Sequence, residues 1–344
     1  MTSPEGVLFA TAEDSYRAAS LELKNAFGRQ TDIKRVGPDE GMVVGLTAAQ
    51  VAEACRNAEI VFIKHLTNQV AHVTGADQAD PAAISRVARE VVSGLDLGDG
   101  HGLAVQAWAS GSPRMGYTSG ELFTAIAESL GEDGVRVGRA GEPVVLSCCI
   151  TPEGVRLGVN TAADSLTDWP GGRVRLARDP AQVSRAEFKL EELFQVFPSD
   201  LPTGGRAVDL GASPGGWTRI LRTKGFDVWA VDPGDLAPQL TGDRRVHHER
   251  TTAGEFFRRS NRAFDVVVND MRMDPELSCE VMLDAATHLR PGAIAILTLK
   301  TGTYRPVEVV DRCRRLLRKR YDITFARQLH HNRHELTVVA TRRA

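Results

Sequence analysis

The chain has 344 residues, room for two domains or more, and its 42% apolar and 25% charged residues are the balance of an ordinary soluble globular protein. No apolar run approaches the ~18 residues that a membrane span needs, and the first residues lack the basic start and apolar core of a signal peptide, so the expectation is a cytoplasmic protein without membrane attachment. The net charge of −2 gives no sign of a polyanion partner. It hides an asymmetry: residues 1–180 hold 16 Lys and Arg against 23 Asp and Glu, whereas residues 181–344 hold 26 against 21.

In chain order, GVLFAT reads as a strand and SYRAASLELKNAF as a helix, with Tyr16, Leu21 and Phe27 in helical spacing. GMVVGL and AEIVFIKHL read as strands around a short helix, TAAQVAEACRNA. This is a small antiparallel α/β unit rather than a nucleotide fold. A second unit begins near residue 85. GLAVQAWA is a strand and SGELFTAIAESLG a helix with Ser119 as its cap. PVVLSCCI and GVRLGVN are a strand pair joined by the turn TPEG. The turn-rich residues 164–182 form the link to the last domain.

From about residue 185 the pattern changes. RAVDLG, DVWAVD, FDVVVND, AIAILTLK and ELTVVATR are strands, several of them apolar almost throughout, and they alternate with helices. That order fits an open, doubly wound α/β sheet covered on both faces. The basic run at 312–320 is expected as a helix with Leu316 and Leu317 inward and a charged outer face.

The five cysteines, at 55, 148, 149, 279 and 313, match no zinc framework, and Cys148 and Cys149 are expected as buried thiols. The histidines of VHHE and LHHNRHE have no cysteine or carboxylate at ligand spacing, so no metal is expected.

The stretch VDLGASPGGWTRIL, residues 208–221, reads as strand, turn and helix. Asp209 ends the strand, Gly211 opens the turn, Ser213 is the expected helix cap and Pro214 the first helical residue. The loop lacks the Gly-Lys-Ser/Thr ending of a Walker A motif, and Pro214 interrupts the dinucleotide spacing of Gly211, Ser213 and Gly216. Asp232, at the end of the next strand, is placed to accept from ribose hydroxyls, which suits NAD, FAD or S-adenosylmethionine. His248 and Glu249 are candidates to meet an adenine edge. Asp270 and Lys300 each end an apolar strand at the sheet's carboxyl edge, where open α/β sheets bind ligands. Taken alone, Lys189 is a solvated lysine and Glu335 an ordinary strand-edge acid.

The C-terminal region resembles the FtsJ-type ribose 2′-O-methyltransferases, whose hallmark is a Lys-Asp-Lys-Glu tetrad. SRAEFKLEE is similar to the segment with the first lysine, Lys189. VNDM corresponds to the aspartate, Asp270, LTLK to the second lysine, Lys300, and HELTVV to the glutamate, Glu335. DLGASPGGWT resembles the family's S-adenosylmethionine loop, which implies cofactor contacts from Asp209, Gly211, Ser213, Pro214, Gly215, Gly216 and Trp217, with Asp270 also facing the cofactor. The arrangement resembles one branch more closely, the bacterial large-subunit rRNA cytidine 2′-O-methyltransferases. That resemblance implies a ferredoxin-like α+β module at 1–80, a THUMP-like RNA-binding module and linker at 81–180, and a Rossmann-like methyltransferase domain at 181–344.

The resemblance further implies an RNA 2′-O-methyltransferase that uses S-adenosylmethionine and no metal, with Lys300 as base, Lys189 orienting the target hydroxyl or phosphate, and 23S-type rRNA as partner. A monomer is expected. The N-terminal half is acidic, which departs from simple RNA binding. Local basic residues such as Arg114 and Arg136 are the expected contacts. The alternatives are an RNA base methyltransferase, an inactive cofactor-fold RNA-binding protein and a dehydrogenase. NDMRMDP stands where a base methyltransferase has Asp/Asn-Pro-Pro-Tyr, all four tetrad candidates are present, and no nicotinamide-side constellation appears.

Overall fold

The computed structural model describes residues 5–98, 102–113, 115–197, 199 and 202–344. The chain divides into two compact units, Met1–Val174 and Arg175–Ala344. Arg114 lies outside the described residues.

The first unit is built on one eight-stranded sheet. Its elements are β1 (Gly6–Ala10), α1 (Tyr16–Phe27), β2 (Ile33–Arg35), β3 (Glu40–Val43), α2 (Ala48–Arg56), β4 (His65–Val73), α3 (Pro81–Ser93), β5 (Leu103–Ala109), α4 (Ser119–Glu132), β6 (Val137–Gly138), β7 (Val144–Thr151) and β8 (Gly154–Thr161). The spatial order is β2-β3-β1-β4-β8-β7-β5-β6. Thr151 and Gly154 pair across the expected TPEG turn. The expected division at 80/81 is not a sheet edge, because β4 pairs antiparallel with β8. The expected division at 180/181 lies a few residues beyond the observed one.

Three expectations need correction here. The apolar run AEIVFIKHL is not a strand until His65. Residues Ile60–Ile63 are buried, yet Val61 and Phe62 N–H groups donate to the Glu22 carboxylate at 2.9 and 3.2 Å. A side chain thus satisfies backbone donors that a ladder would otherwise take. Helix α4 is capped by Thr118, one residue before Ser119, in a reciprocal box with Glu121. Helix α3 was not expected from the sequence. Asp80 caps it, Pro81 fills its first position, and Ile84, Ala88 and Val92 bury one face against Leu122, Ile126 and Leu146.

The second unit holds α5 (Glu187–Val196), β9 (Gly205–Leu210), α6 (Gly216–Thr223), β10 (Phe226–Val231), α7 (Pro238–Thr241), β11 (Val246–Glu249), α8 (Ala253–Arg259), β12 (Phe264–Asn269), α9 (Pro275–Ala285), β13 (Leu289–Leu299), α10 (Pro306–Leu317), β14 (Tyr321–Arg327) and β15 (Leu336–Arg342). Its sheet runs β11-β10-β9-β12-β13-β15-β14, with β9 to β13 parallel and β15 antiparallel to both neighbours. The order reverses between β9 and β12, and ligands bind at such switch points beyond the strands' carboxyl ends. Leu190, Leu193, Trp217, Ile220, Phe226, Val268 and Phe325 pack one core of this unit. The basic run lies on α10 and the turn after it. Leu317 is buried, and Arg312 and Arg314 pair with Glu276 and Asp311.

Among the described residues no helix is long and apolar enough to cross a membrane. All five cysteines are free and buried.

Candidate active site

A cavity of about 1270 Å³ opens at the carboxyl edge of the second sheet. The loop from β9 to α6 forms one wall. Gly211 has φ +74°, and a Cβ there would stand 2.3 Å from Met271 Cγ. Only glycine fits that turn. Gly215, at φ +109°, is the residue before α6. Ser213 therefore does not cap the helix, and Pro214, which follows a cis peptide, is not its first residue. The Ser213 hydroxyl donates instead to the Asp235 carbonyl at 2.8 Å, tying the loop to the segment after β10.

Asp232 reinforces that tie. One of its oxygens accepts from Ser213 N–H at 3.1 Å and the other from Gly234 N–H at 2.7 Å. Each oxygen keeps a further lone pair, and the residue lines the cavity. Asp209 also lines it, 2% exposed, and accepts from the Thr218 hydroxyl at 2.7 Å. Burial pushes its carboxyl up to about 7, against the Thr218 hydrogen bond and with help from Asp270 and Asp232. Trp217 lines the wall and donates from Nε1 to the Ala186 carbonyl.

The floor holds Lys189, Asp270, Lys300 and Glu335. Asp270 follows β12 and Lys300 follows β13, which pairs with β12 in parallel. Leu299 and Leu336 are cross-strand partners, so Lys300 and Glu335 meet just beyond the ends of β13 and β15. Lys189 Nζ lies 2.9 Å from Asp270 and 2.7 Å from Glu335. Lys300 Nζ lies 2.6 Å from Asp270 and also pairs with Glu335. Each carboxylate thus bridges both lysines, and the four groups form a ring of alternating charge.

The electrostatics follow from that ring. Burial opposes the charge on Asp270, but Lys300 and Lys189 outweigh it and hold the carboxyl below its usual range. Burial would likewise lower the Lys189 ammonium, yet Asp270 and Glu335 raise it. The ring thus favours the charged forms of Asp270 and Lys189.

Sequence reasoning missed several contributors. Thr298 donates to Asp270 and accepts from Lys300 Nζ at 2.6 Å. Its place two residues before Lys300 puts both on one strand face, a signal that period-two reading would have caught. Glu192, 1% exposed, accepts from His330 and His331 N–H at 2.6 and 2.8 Å and from the His331 ring, anchoring the loop that carries Glu335. Glu187, wholly buried, holds the Val183 and Ser184 amides and Arg219. Nothing in the sequence marks either acid, because each works through backbone amides that only the fold brings near.

His248 and Glu249 do not line the cavity. Both sit on the edge strand β11, and Thr251, Thr252 and Ala253 line it instead. The chain turns inward two residues later than expected, and the His248 ring faces the Asp232 carbonyl at 3.2 Å. Gly215 is also outside the lining. In the first unit, Arg136 pairs with Glu142 at 3.1 Å. At the cavity mouth Arg185, Arg272 and Arg333 are exposed and make no ion pair among the described residues.

Residues 182–312 match the family of FtsJ-like methyltransferases. The chain is 40% identical over 179 residues to the ribosomal RNA large subunit methyltransferase M of Halorhodospira halophila, covering 51% of this chain and 52% of that protein. It is 34% identical over 235 residues to the protein of that name from Azoarcus sp., covering 64% and 62%. A third, from Xanthomonas euvesicatoria pv. vesicatoria, is 29% identical over 346 residues, covering 94% and 95%. At the higher identity of the first, the chain spans about half the length of the relative it matches.

Proposed function

We propose that this protein, whose residues 182–312 match the family of FtsJ-like methyltransferases, methylates a ribose 2′-oxygen of large-subunit ribosomal RNA, with S-adenosylmethionine as methyl donor. The observation that carries the reading is the closed ring of Lys189, Asp270, Lys300 and Glu335 on the floor of a cavity walled by the glycine loop. The likeness to three ribosomal RNA large subunit methyltransferases supports the rRNA target.

When bound, S-adenosylmethionine supplies an electrophilic methyl. The residues present fit it. Asp232 would accept from its ribose hydroxyls through the lone pairs left by Ser213 and Gly234, and the Gly211 turn lets backbone approach closely. Gly216, Pro214, Trp217 and Asp209 complete that wall.

A ribose hydroxyl attacks well only as its proton leaves. Lys300 is the residue we assign to meet that proton. Its ammonium donates to Asp270, Thr298 and Glu335, which fixes its direction and leaves no lone pair while it is charged. Taking the proton therefore requires that Lys300 first lose one. Lys189, held by the same two carboxylates, orients the hydroxyl or an adjacent phosphate. Arg185, Arg272 and Arg333 supply unpaired cations for the RNA backbone at the mouth.

Under this reading residues 1–80 and 81–180 serve as ferredoxin-like and THUMP-like modules that select RNA, and the protein works as a cytoplasmic monomer. The test is labelled methyl transfer to large-subunit rRNA lacking the modification, followed by nucleoside mass analysis. A 2′-O-methyl nucleoside is the expected product, a cytidine first among them. A methyl on a base, or no transfer to RNA, overturns the reading.

A further inference from the structure

We propose that Tyr304 and Arg305 form a stacking platform for an unpaired nucleobase beside the methylated ribose. The inference rests on the RNA reading above and adds a recognition element to it.

Tyr304 is 79% exposed, against 47% and 52% for Leu21 and Leu277, the other exposed large apolar residues among those described. That leaves the ring open to a stacking partner. Its position gives the partner's chemistry. Only three residues separate it from Lys300, so the two backbones stand at most about 14 Å apart.

The segment is also held. Gly302 N–H donates to the His334 carbonyl at 3.1 Å, and the Thr301 hydroxyl reaches the same carbonyl at 3.2 Å. The loop that carries Tyr304 is thereby bound to the loop that carries Arg333 and Glu335, both of the cavity lining. A base on that ring would belong to the same RNA strand, within a few nucleotides of the ribose that meets Lys300.

Arg305 supplies the second half. It adopts φ +47°, ψ 48°, a left-handed conformation immediately before Pro306, where a residue other than glycine is strained. In that conformation its guanidinium lies 5.6 Å from the Tyr304 ring centroid, and Glu308 holds one nitrogen at 3.3 Å. A cation beside an exposed aromatic face, on a loop tied to the one that carries Arg333, suits a nucleotide: a base on the ring and a phosphate on the guanidinium. RNA that is unpaired at the target presents such a base, whereas a continuous A-form helix does not.

The test compares the full-length protein with Tyr304→Ala, Tyr304→Phe and Arg305→Gly, the last keeping the left-handed turn without its cation. Two measurements are made: anisotropy of a fluorescein-labelled single-stranded decanucleotide RNA of mixed sequence, and KM and kcat for unmodified large-subunit rRNA. Tyr304→Ala should weaken decanucleotide binding and raise KM for RNA about tenfold, with the loss falling on KM rather than kcat, as one lost stack implies. Tyr304→Phe should restore both, and Arg305→Gly should flatten the salt dependence of binding. Equal decanucleotide affinity for wild type and Tyr304→Ala overturns the platform, as does a wild type that does not bind the decanucleotide. Tyr304-dependent binding by a protein that transfers no methyl to RNA would leave the platform standing and remove the methyltransferase reading.

Discussion

Each unit of this chain buries an acid, and the two acids have opposite fates. Glu40, in the first unit, is 1% exposed and accepts from Trp108 Nε1 at 2.7 Å, while its other oxygen has no hydrogen-bond partner. Burial and the nearby Asp39 push its carboxyl well above the usual range, despite Trp108 and Arg173. Asp270, in the second unit, is also largely buried, but two lysines hold it below that range. A buried site without a strong counter-charge thus disfavours the charged form of the acid. Burial beside cations from separate elements favours the charged form, and the proposed site for proton transfer uses the second kind. The net charges run the same way: residues 1–174 hold 14 Lys and Arg against 22 Asp and Glu, and residues 175–344 hold 28 against 22.

The contrast is broken most directly at Asp270. Asp270→Ala leaves two ammonium groups facing one carboxylate. Turnover should fall by about 10²–10⁴. Because the side chains in the ring keep 10–22% exposure, the stability loss should be about 2–3 kcal/mol rather than the full cost of a dry unpaired charge. Rapid-quench methyl transfer and urea unfolding measure the two effects.

Asp209 sharpens the contrast through pH. Its folded carboxyl stands at about 7 against an ordinary 3.8, so the folded state binds the proton more tightly. The stability from this group is full below pH 4 and is lost as pH rises toward 7. Asp270, shifted downward, gives the opposite slope: its contribution is present above pH 4 and lost on acidification. Asp209→Asn should remove roughly a few kcal/mol of pH dependence between pH 4 and 7, read from unfolding midpoints across that range. An unchanged profile would mean that Asp209 titrates as a solvated acid.

Asp232→Ala removes a carboxylate that both ties the loop and faces the cavity. Calorimetry should show S-adenosylmethionine binding weakened by about 1.5–3 kcal/mol, the range for hydrogen bonds to a charged group. The smallest effect is expected at Glu40. Glu40→Gln keeps an acceptor for Trp108 and removes a carboxyl whose charged form burial disfavours, so stability at pH 7 should change by less than about 1 kcal/mol. A loss as large as that of Asp270→Ala would erase the distinction between the two acids.

The legibility of the sequence obeys the same physics. The strands of the second unit were legible because β9, β10, β12 and β13 are covered on both faces and read as apolar runs. Strand β14 was not, because Tyr321–Arg327 lies at the sheet edge and mixes exposed with buried positions. Asp270 and Lys300 stood out as charges ending apolar strands. Lys189 and Glu335 read as ordinary surface residues until the family resemblance placed them, since a helix and a distant strand converge only in the fold. His248 and Glu249 were misplaced by a backbone turn two residues beyond them, which no local pattern announces.

The central claim is that Lys300, held by Asp270, Thr298 and Glu335, meets the proton of the ribose hydroxyl. It is tested by single-turnover methyl transfer to unmodified large-subunit rRNA with Lys300→Ala, alongside calorimetry of S-adenosylmethionine binding. The expected result is a rate at least about 100-fold below wild type and cofactor affinity within a few-fold. An unaltered rate in Lys300→Ala would contradict it.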